Sequence, residues 1–417
     1  MINKRNIIPA LFLPLIQSYR YRGEANFYEK NVPPYSIPDV FLCKDESYVE
    51  SRDDWESMRR IELLQVFQKE VYGVTLLNKV AVRYELLEKD NSALDGRATR
   101  LQVRFILSGN NHSLEALLLV YLPNNGKSKH PVFMGYNFYG NQSTTDDEKV
   151  LYSPSTLEVW HNISKFKRGF ANNHWCYDKA INQGYAVATM CYTDICPDSP
   201  FFKMSGAYNL FDSNDSESNW QAIGLWSWGC SRICDYLIGQ SWVNRNQIAI
   251  LGHSRLGKVA LWAGAQDTRF AVVISNDSGC GGASLAKRYF GENISMITSN
   301  NPHWFCKNYE KYANKECNML FDQHELLSLI APRHLYVCSA SKDLPADPKG
   351  EFLALANAGK VWNLYNLQGL PSEEFPSFNK PLMGVNGYHV RRGLHGVTPY
   401  DWDCWIKFCN MCYFINQ

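Results

Sequence analysis

One segment of the chain limits the possible folds more than any other. Residues 247–265 read QIAILGHSRLGKVALWAGA, in which an apolar run leads to a serine between glycines and then to an amphipathic stretch. This order predicts a buried strand, a sharp turn and a helix, with Ser254 exposed at the turn. The arrangement is typical of a nucleophile elbow, although Gly257 comes one residue later than the second glycine of the usual G-x-S-x-G pattern.

The remaining chain places this segment in a mainly parallel sheet. A helix is predicted over 55–71, and the runs 80–87, 100–107 and 115–122 alternate in polarity like an antiparallel meander. VFMGYN after Pro131 is uniformly apolar, as a buried strand would be. From residue 185 the chain alternates between predicted strands (185–192, 247–253, 271–275, 335–340) and predicted helices (220–237, from about 255, near 283–290, near 350–358, 400–414). We therefore expect an α/β-hydrolase fold, a doubly wound and mostly parallel sheet with antiparallel N-terminal strands in a three-layer sandwich.

The domain organisation follows from what the sequence lacks. No repeat or low-complexity linker divides the 417 residues, so 23–417 is predicted to be a single catalytic domain. Residues 1–22 resemble a signal segment, because Lys4 and Arg5 precede an apolar run at 7–16. This favours a periplasmic or secreted protein, with the cytoplasm as the alternative.

Composition narrows the range of partners. The formal net charge of +1 gives no electrostatic basis for binding nucleic acid, and the apolar run is too short to span a membrane. The thirteen cysteines are scattered, and the only C-x-x-C pair, Cys409 and Cys412, has no matching His or Cys cluster. No phosphate loop is present. We expect a monomer without a metal or other cofactor.

A nucleophilic serine needs a general base downstream in this fold. His395 lies in RRGLHGVTPYDW, a glycine-flanked loop just before the last predicted helix, and is the preferred base. His389 in GYHV is the alternative. His334 begins a predicted strand, and His324 is expected at the exposed start of a helix.

Two acids compete to orient the base. Asp343 follows the strand 335–340 in SASKDLPADP, which is the usual position of the acid. Asp277 follows the preceding strand in ISNDSGCGG and is the alternative. Asp347 is interpreted as a turn or capping residue.

Two cations lie next to the serine. Arg255 and Lys258 occupy the first turn of the predicted helix, where the helix dipole disfavours positive charge. A purely structural role is therefore the weaker interpretation. The two side chains indicate a substrate that carries or develops negative charge.

These motifs together resemble one family. GHSRLGK, SNDSGCGGASLAKRYFGE, NPHWFCKNY, FDQHELLSLIAPRHLYV and the tail from DLPADPKGEF to GLHGVTPYDW are similar to the glucuronoyl esterases of carbohydrate esterase family 15. The similarity extends from about residue 32 to the last helix. It implies hydrolysis of the ester between (4-O-methyl)glucuronic acid of glucuronoxylan and lignin-type alcohols, through an acyl-enzyme on Ser254.

The resemblance also implies individual roles. Arg255 would contribute to the oxyanion hole, Lys258 would contact the uronic acid, and Trp304 in NPHWF would lie against the sugar. Fungal members use an acid at the position of Asp277, whereas bacterial members often use one at the position of Asp343.

The chain departs from the family pattern at three positions. Fungal members have disulfide-forming cysteines where this sequence has His253 and Gly396, so a bacterial-type member is indicated. Pro345 stands where many bacterial members have a tryptophan. Two other functions remain as alternatives, a carbohydrate acetyl esterase of the acetylxylan type and a non-catalytic carbohydrate-binding protein.

Overall fold

The computed structural model describes residues 25–76, 80–156, 166–212, 216 and 219–414, and the structural statements below concern these residues. The predicted signal-like segment, 1–22, lies outside them, so its role in export stays a prediction. Within the described part of the chain, no helix combines the length and apolarity needed to cross a membrane.

A sheet of ten strands forms the centre of the fold. Its spatial order is β1-β2-β3-β5-β4-β6-β7-β8-β10-β9. The strands are β1 (Ala81–Ala93), β2 (Ala98–Gly109), β3 (His112–Pro123), β4 (His130–Asn137), β5 (Ala186–Cys191), β6 (Val243–His253), β7 (Val272–Asn276), β8 (His334–Ala340), β9 (Leu382–Met383) and β10 (Asn386–Arg391).

The direction of the strands agrees with the sequence pattern. The pairs β1/β2, β2/β3 and β3/β5 are antiparallel, whereas the strands from β5 through β4, β6, β7 and β8 to β10 run parallel. The short β9 pairs antiparallel with β10 at the far edge. The expected doubly wound sheet with antiparallel N-terminal strands is confirmed.

Helices cover both faces of this sheet. Side chains of one strand alternate between two hydrophobic cores, so that Met134 and Ile250 face one core while Phe133 and Leu251 face the other. The first core also contains helices α2 (Arg60–Phe67), α4 (Tyr192–Ile195), α5 (Ala222–Ile238), α6 (Arg255–Gln266), α8 (Gln323–Ser328) and α9 (Pro348–Ala358), and the second contains α3 (Tyr177–Asn182) and α10 (Pro399–Phe414). A single helical turn, α1 (Arg52–Asp54), precedes α2. The result is the predicted three-layer sandwich.

Two local predictions were wrong. No α-helix forms over 283–290. A 3-10 turn, Ala286–Arg288, ends at Tyr289, whose φ of 51° is incompatible with a continuing helix. The helix, α7 (Ile294–Asn300), starts after Asn293, whose side chain accepts a bond from the Met296 amide.

The second wrong prediction concerns His324. It lies in α8 and is 1% exposed rather than at the surface, and its Nε2 lies 2.9 Å from the Pro38 carbonyl oxygen. The sequence could not show this contact, because Pro38 belongs to the extended N-terminal arm.

Parallel strands place their carboxyl ends at one edge of the sheet. Ser254 follows β6, Asp277 follows β7, Asp343 comes three residues after β8, and His395 comes four residues after β10. The topology therefore gathers all four candidate residues at the same edge.

Candidate active site

Ser254 occupies a strained turn between β6 and α6. Its φ of 57° and ψ of −128° are unfavourable for a residue with a side chain. The turn is held by a 2.8 Å bond from the Ser254 amide to the Asn276 carbonyl. A Cβ on Gly252 would lie 1.9 Å from the Leu256 carbonyl oxygen, so only glycine permits this tight reversal. The local geometry is that of a nucleophile elbow.

His395 and Asp343 form a direct pair. The His395 Nδ1 lies 2.6 Å from Asp343 Oδ2, close enough for Nδ1–H to donate to the carboxylate. The imidazole is 36% exposed, whereas the carboxyl side chain is 6% exposed. A buried acid behind an accessible imidazole is the arrangement that orients a general base.

Asp277 lies beside this pair but makes different bonds. Its Oδ2 accepts bonds of 3.3 Å from the Gly396 amide and the Asn276 side chain, and it is 3.6 Å from Arg391 Nη2. Burial, reinforced by the negative charge of Asp343, raises the pKa of Asp277 well above its usual range. Asp277 therefore supports the loop that carries the histidine, and Asp343 is the better placed acid.

A second histidine, His253, contacts His395. The ring centroid of His253 lies 4.4 Å from that of His395. Asn276 Nδ2 lies 2.8 Å from His253 Nδ1, and its donated bond places the remaining proton of the neutral ring on Nε2. Burial, and then the positive charge of His395, lowers the pKa of His253 well below its usual value. His253 is thus kept neutral against the base.

Arg391 fixes the loop that carries His395. Its Nη2 donates to the carbonyls of Leu394, at 3.0 Å, and Gly396, on either side of the histidine. Its Nε donates to Asp401 at 2.9 Å. The same carboxylate binds His389 Nε2 at 2.9 Å.

The contacts of His389 distinguish the two candidate bases. His389 lies in β10 with no exposed side-chain surface, and its Nδ1 lies 2.9 Å from the Tyr336 hydroxyl. Both ring nitrogens are therefore engaged inside the protein. His389 is structural, and His395 remains the candidate base.

Arg255 begins α6 directly after the serine, and its charge is partnered. The guanidinium forms an ion pair with Asp198 and lies 4.7 Å from the ring centroid of Trp304. Asp198 also accepts bonds from His303 at 2.7 Å, from Trp304 at 2.8 Å and from Tyr192 at 2.8 Å. Although burial alone would raise the pKa of Asp198, the charge of Arg255 holds it well below its usual range. Asp198 is thus an ionised anchor.

Lys258 lies one turn further along α6, on the same face. It is 4% exposed, donates to the Ser278 carbonyl, and its Nζ lies 5.8 Å from the Trp304 ring centroid. Burial lowers the pKa of Lys258, an effect that the negative charge of Glu292 opposes. The ammonium is therefore held in a fixed position beside the aromatic ring.

Two further residues, Trp304 and Glu292, lie near these cations. Trp304 is 5% exposed and already contacts Arg255 and Lys258, so a contact with the sugar stays a prediction. Glu292 was not singled out from sequence. Burial raises its pKa, while the charges of Lys258 and His395 lower it, so an acid lies within electrostatic range of both.

Sequence reasoning also missed Asp198. It follows β5 and the short helix α4 (Tyr192–Ile195), beyond the carboxyl end of a parallel strand, where α/β sheets bind ligands. This position beyond a parallel strand was the one signal by which Asp198 could have been found. No local motif around CPDSP distinguished this aspartate from a turn residue.

Comparison with known proteins identifies the family of the chain. A sequence model of the family described as glucuronyl esterase, fungi, matches residues 172–366. The chain is 38% identical over 396 residues to the carbohydrate esterase MZ0003 from an unknown prokaryotic organism, and the match covers 92% of this chain and 91% of that protein.

Solved structures extend the likeness to the whole fold. A promiscuous esterase of carbohydrate esterase family 15 from a marine bacterial metagenome matches with a TM-score of 0.86 at 38% identity, covering 93% of this chain and 99% of that one. The glucuronoyl esterase from Solibacter usitatus matches with a TM-score of 0.85 at 36% identity, covering 93% of this chain and 100% of that one. The chain therefore belongs to the glucuronoyl esterases of carbohydrate esterase family 15 and is a carboxylic ester hydrolase.

Proposed function

We propose that this protein hydrolyses esters of (4-O-methyl)glucuronic acid through an acyl-enzyme on Ser254. His395 takes the serine proton as Oγ bonds to the C6 carbonyl carbon, and Asp343 orients the imidazole. The bond from that carbon to the alcohol oxygen then breaks, and the alcohol leaves with the proton from His395. Water attacks the acyl-enzyme with His395 again as base, which releases glucuronate and restores the serine.

The placement of two cations at the nucleophile carries this proposal. Arg255 and Lys258 lie on the first turn of α6 and both contact the ring of Trp304. Negative charge develops on the C6 carbonyl oxygen during attack, where the Arg255 amide and guanidinium would stabilise it. Lys258 would bind a ring oxygen of the sugar. A simple acetyl group offers nothing to this second cation.

Membership of the family also supports glucuronic acid as the acyl part of the ester. The Solibacter relative is named a glucuronoyl esterase. We propose that the natural substrate of this chain is the ester that links the glucuronic acid of glucuronoxylan to lignin-type alcohols. The charged, partly buried acyl site is suited to a uronic acid, and the exposed imidazole leaves room for a large alcohol.

A substrate comparison tests the proposed function. Wild-type protein is assayed on benzyl glucuronate, with and without a 4-O-methyl group, and on acetylated xylan, with Ser254→Ala as the control for contaminating esterases. We expect kcat/KM to be roughly 10- to 100-fold higher for the glucuronate esters, because a hydrogen bond from a charged group such as Lys258 is worth about 1.5–3 kcal/mol and an acetyl group cannot accept it. Equal or faster release of acetate would favour the acetyl esterase instead.

A further inference from the structure

Two exposed leucines flank the acid–base pair. Leu344 directly follows Asp343 and is 39% exposed, and Leu394 directly precedes His395 and is 71% exposed. A single exposed leucine is ordinary on a protein surface. Here, each of the two loops that hold the His395–Asp343 pair carries one exposed leucine.

The two loops run against each other and are fixed in place. The Lys342 amide donates to the Gly393 carbonyl at 2.9 Å, and the side-chain bond between His395 and Asp343 joins the loops one step further on. The carbonyl of Leu394 itself accepts a 3.0 Å bond from Arg391. Both leucines therefore belong to a rigid frame around the imidazole.

The chemistry of ester hydrolysis determines where each part of the substrate must lie in the site. The tetrahedral carbon carries the serine oxygen, the oxyanion, the sugar ring and the oxygen of the alcohol. Arg255 and Lys258 attract the oxyanion and the sugar. His395 must donate its proton to the alcohol oxygen, which therefore lies within hydrogen-bond reach of the imidazole. The alcohol leaves past the loops that carry His395 and Asp343.

We propose that Leu344 and Leu394 form the surface that binds the alcohol part of the ester. An apolar surface of this kind favours bulky and aromatic alcohols over methanol, because part of an aromatic ring leaves water when it contacts the leucines. This proposal rests on the proposed function and adds the residues that select the leaving group. Their exposure leaves the surface open, so an alcohol attached to a polymer can reach it.

The test compares two esters of the same acid. Values of kcat/KM are measured for benzyl and methyl glucuronate with the wild type and with a variant carrying both Leu344→Ala and Leu394→Ala. The intrinsic reactivity of each ester cancels when the variant is compared with the wild type on that ester. We expect the variant to lose roughly five- to tenfold on the benzyl ester, the size of a partial hydrophobic contact, and less than about twofold on the methyl ester.

Two controls separate this surface from other causes. Leu86→Ala removes a leucine that is 57% exposed on β1, at the opposite edge of the sheet, and should change neither activity. Inhibition by free glucuronate should be the same for the double variant and the wild type, because the product acid lacks the alcohol.

Four results would overturn the proposal. An equal fall on both esters, or no fall on the benzyl ester, shows that the leucines do not select the alcohol. Weaker inhibition by glucuronate in the double variant places them against the sugar instead. Failure of the wild type itself on both glucuronate esters contradicts the proposed function, and the alcohol surface with it.

Discussion

Asp198 holds Arg255 in place beside Ser254. The two side chains form an ion pair, and the Trp304 indole both donates to Asp198 at 2.8 Å and lies 4.7 Å from the guanidinium. One buried carboxylate thus fixes the cation and the ring on which it stacks. An arginine held in this way need not reorganise when the oxyanion forms, which is what makes such a group effective in catalysis.

Replacing Asp198 tests this anchoring. Asp198→Asn keeps the shape but removes the charge that positions Arg255. We expect kcat on benzyl glucuronate to fall by roughly 10- to 100-fold, part of the value of a whole oxyanion donor, with a change in KM below about threefold.

The matched control is Asp235→Asn, which removes an ion pair with Arg269 at 2.6 Å on a more exposed part of the protein. Asp235→Asn should leave both kcat and KM on benzyl glucuronate unchanged. A rise in KM with an unchanged kcat for Asp198→Asn would show that Asp198 serves binding alone.

The two cations should have different kinetic signatures. Arg255→Ala should lower kcat by about 10²–10³-fold, because its interaction strengthens as charge develops. Lys258→Met should act mainly on KM and weaken inhibition by free glucuronate, since a contact with the sugar ring exists before and after the reaction. Steady-state kinetics and product inhibition measure both effects. Normal activity of both variants would show that the charges are incidental.

The two acids near His395 should differ in importance. Asp343→Asn should lower kcat by roughly 10²–10⁴-fold. The asparagine amide can neither hold the imidazole in the required tautomer nor stabilise the positive charge that forms on it. Asp277→Asn should cost less than about tenfold, because the asparagine oxygen can still accept the bond from the Gly396 amide that supports the loop of His395. Both variants are assayed at one pH on one ester. If Asp277→Asn proves worse, the chain uses the acid at the fungal position.

The neutral state of His253 has a consequence for stability. Its pKa in the folded protein lies well below the ordinary value of 6.5, because it is buried and faces His395, His174 and Arg391, with Asp277 at 3.9 Å as the nearby acid. Just below pH 6.5 the unfolded chain binds a proton at this residue and the folded protein does not. Stability from this group is therefore present above pH 6.5 and is lost as the pH falls.

Thermal melts from pH 7 to pH 5 measure this effect. His253→Asn retains an acceptor for the Asn276 side chain but does not titrate in this range. We expect the Tm of the wild type to fall more steeply towards pH 5 than that of the variant. Parallel curves would mean that His253 becomes protonated as readily in the folded protein as in the unfolded one.

Much of this architecture could be predicted from sequence, because it depends on local patterns. The period of the apolar residues predicts the strands, and the segment around Ser254 predicts the turn. Since parallel strands end at one edge, the positions of Asp343 and His395 after their strands predict that they meet.

The remaining features depend on contacts between distant segments. Asp198 and Arg255 are 57 residues apart, and no local pattern links them. The same holds for Asp277, which accepts a bond from the amide of Gly396, 119 residues further along the chain. The absence of an α-helix over 283–290 goes with the positive φ of Tyr289, which no local sequence pattern indicated.

Replacement of Ser254 is the most direct test of the proposed acyl-enzyme chemistry. Alanine keeps the Cβ of serine and therefore the same strained backbone at the turn, so Ser254→Ala should fold with an unchanged Tm while it loses the hydroxyl nucleophile. We predict that kcat on benzyl glucuronate falls by roughly 10⁴–10⁶-fold. A folded Ser254→Ala protein that keeps a tenth or more of the wild-type activity would contradict the assignment of Ser254 as the nucleophile.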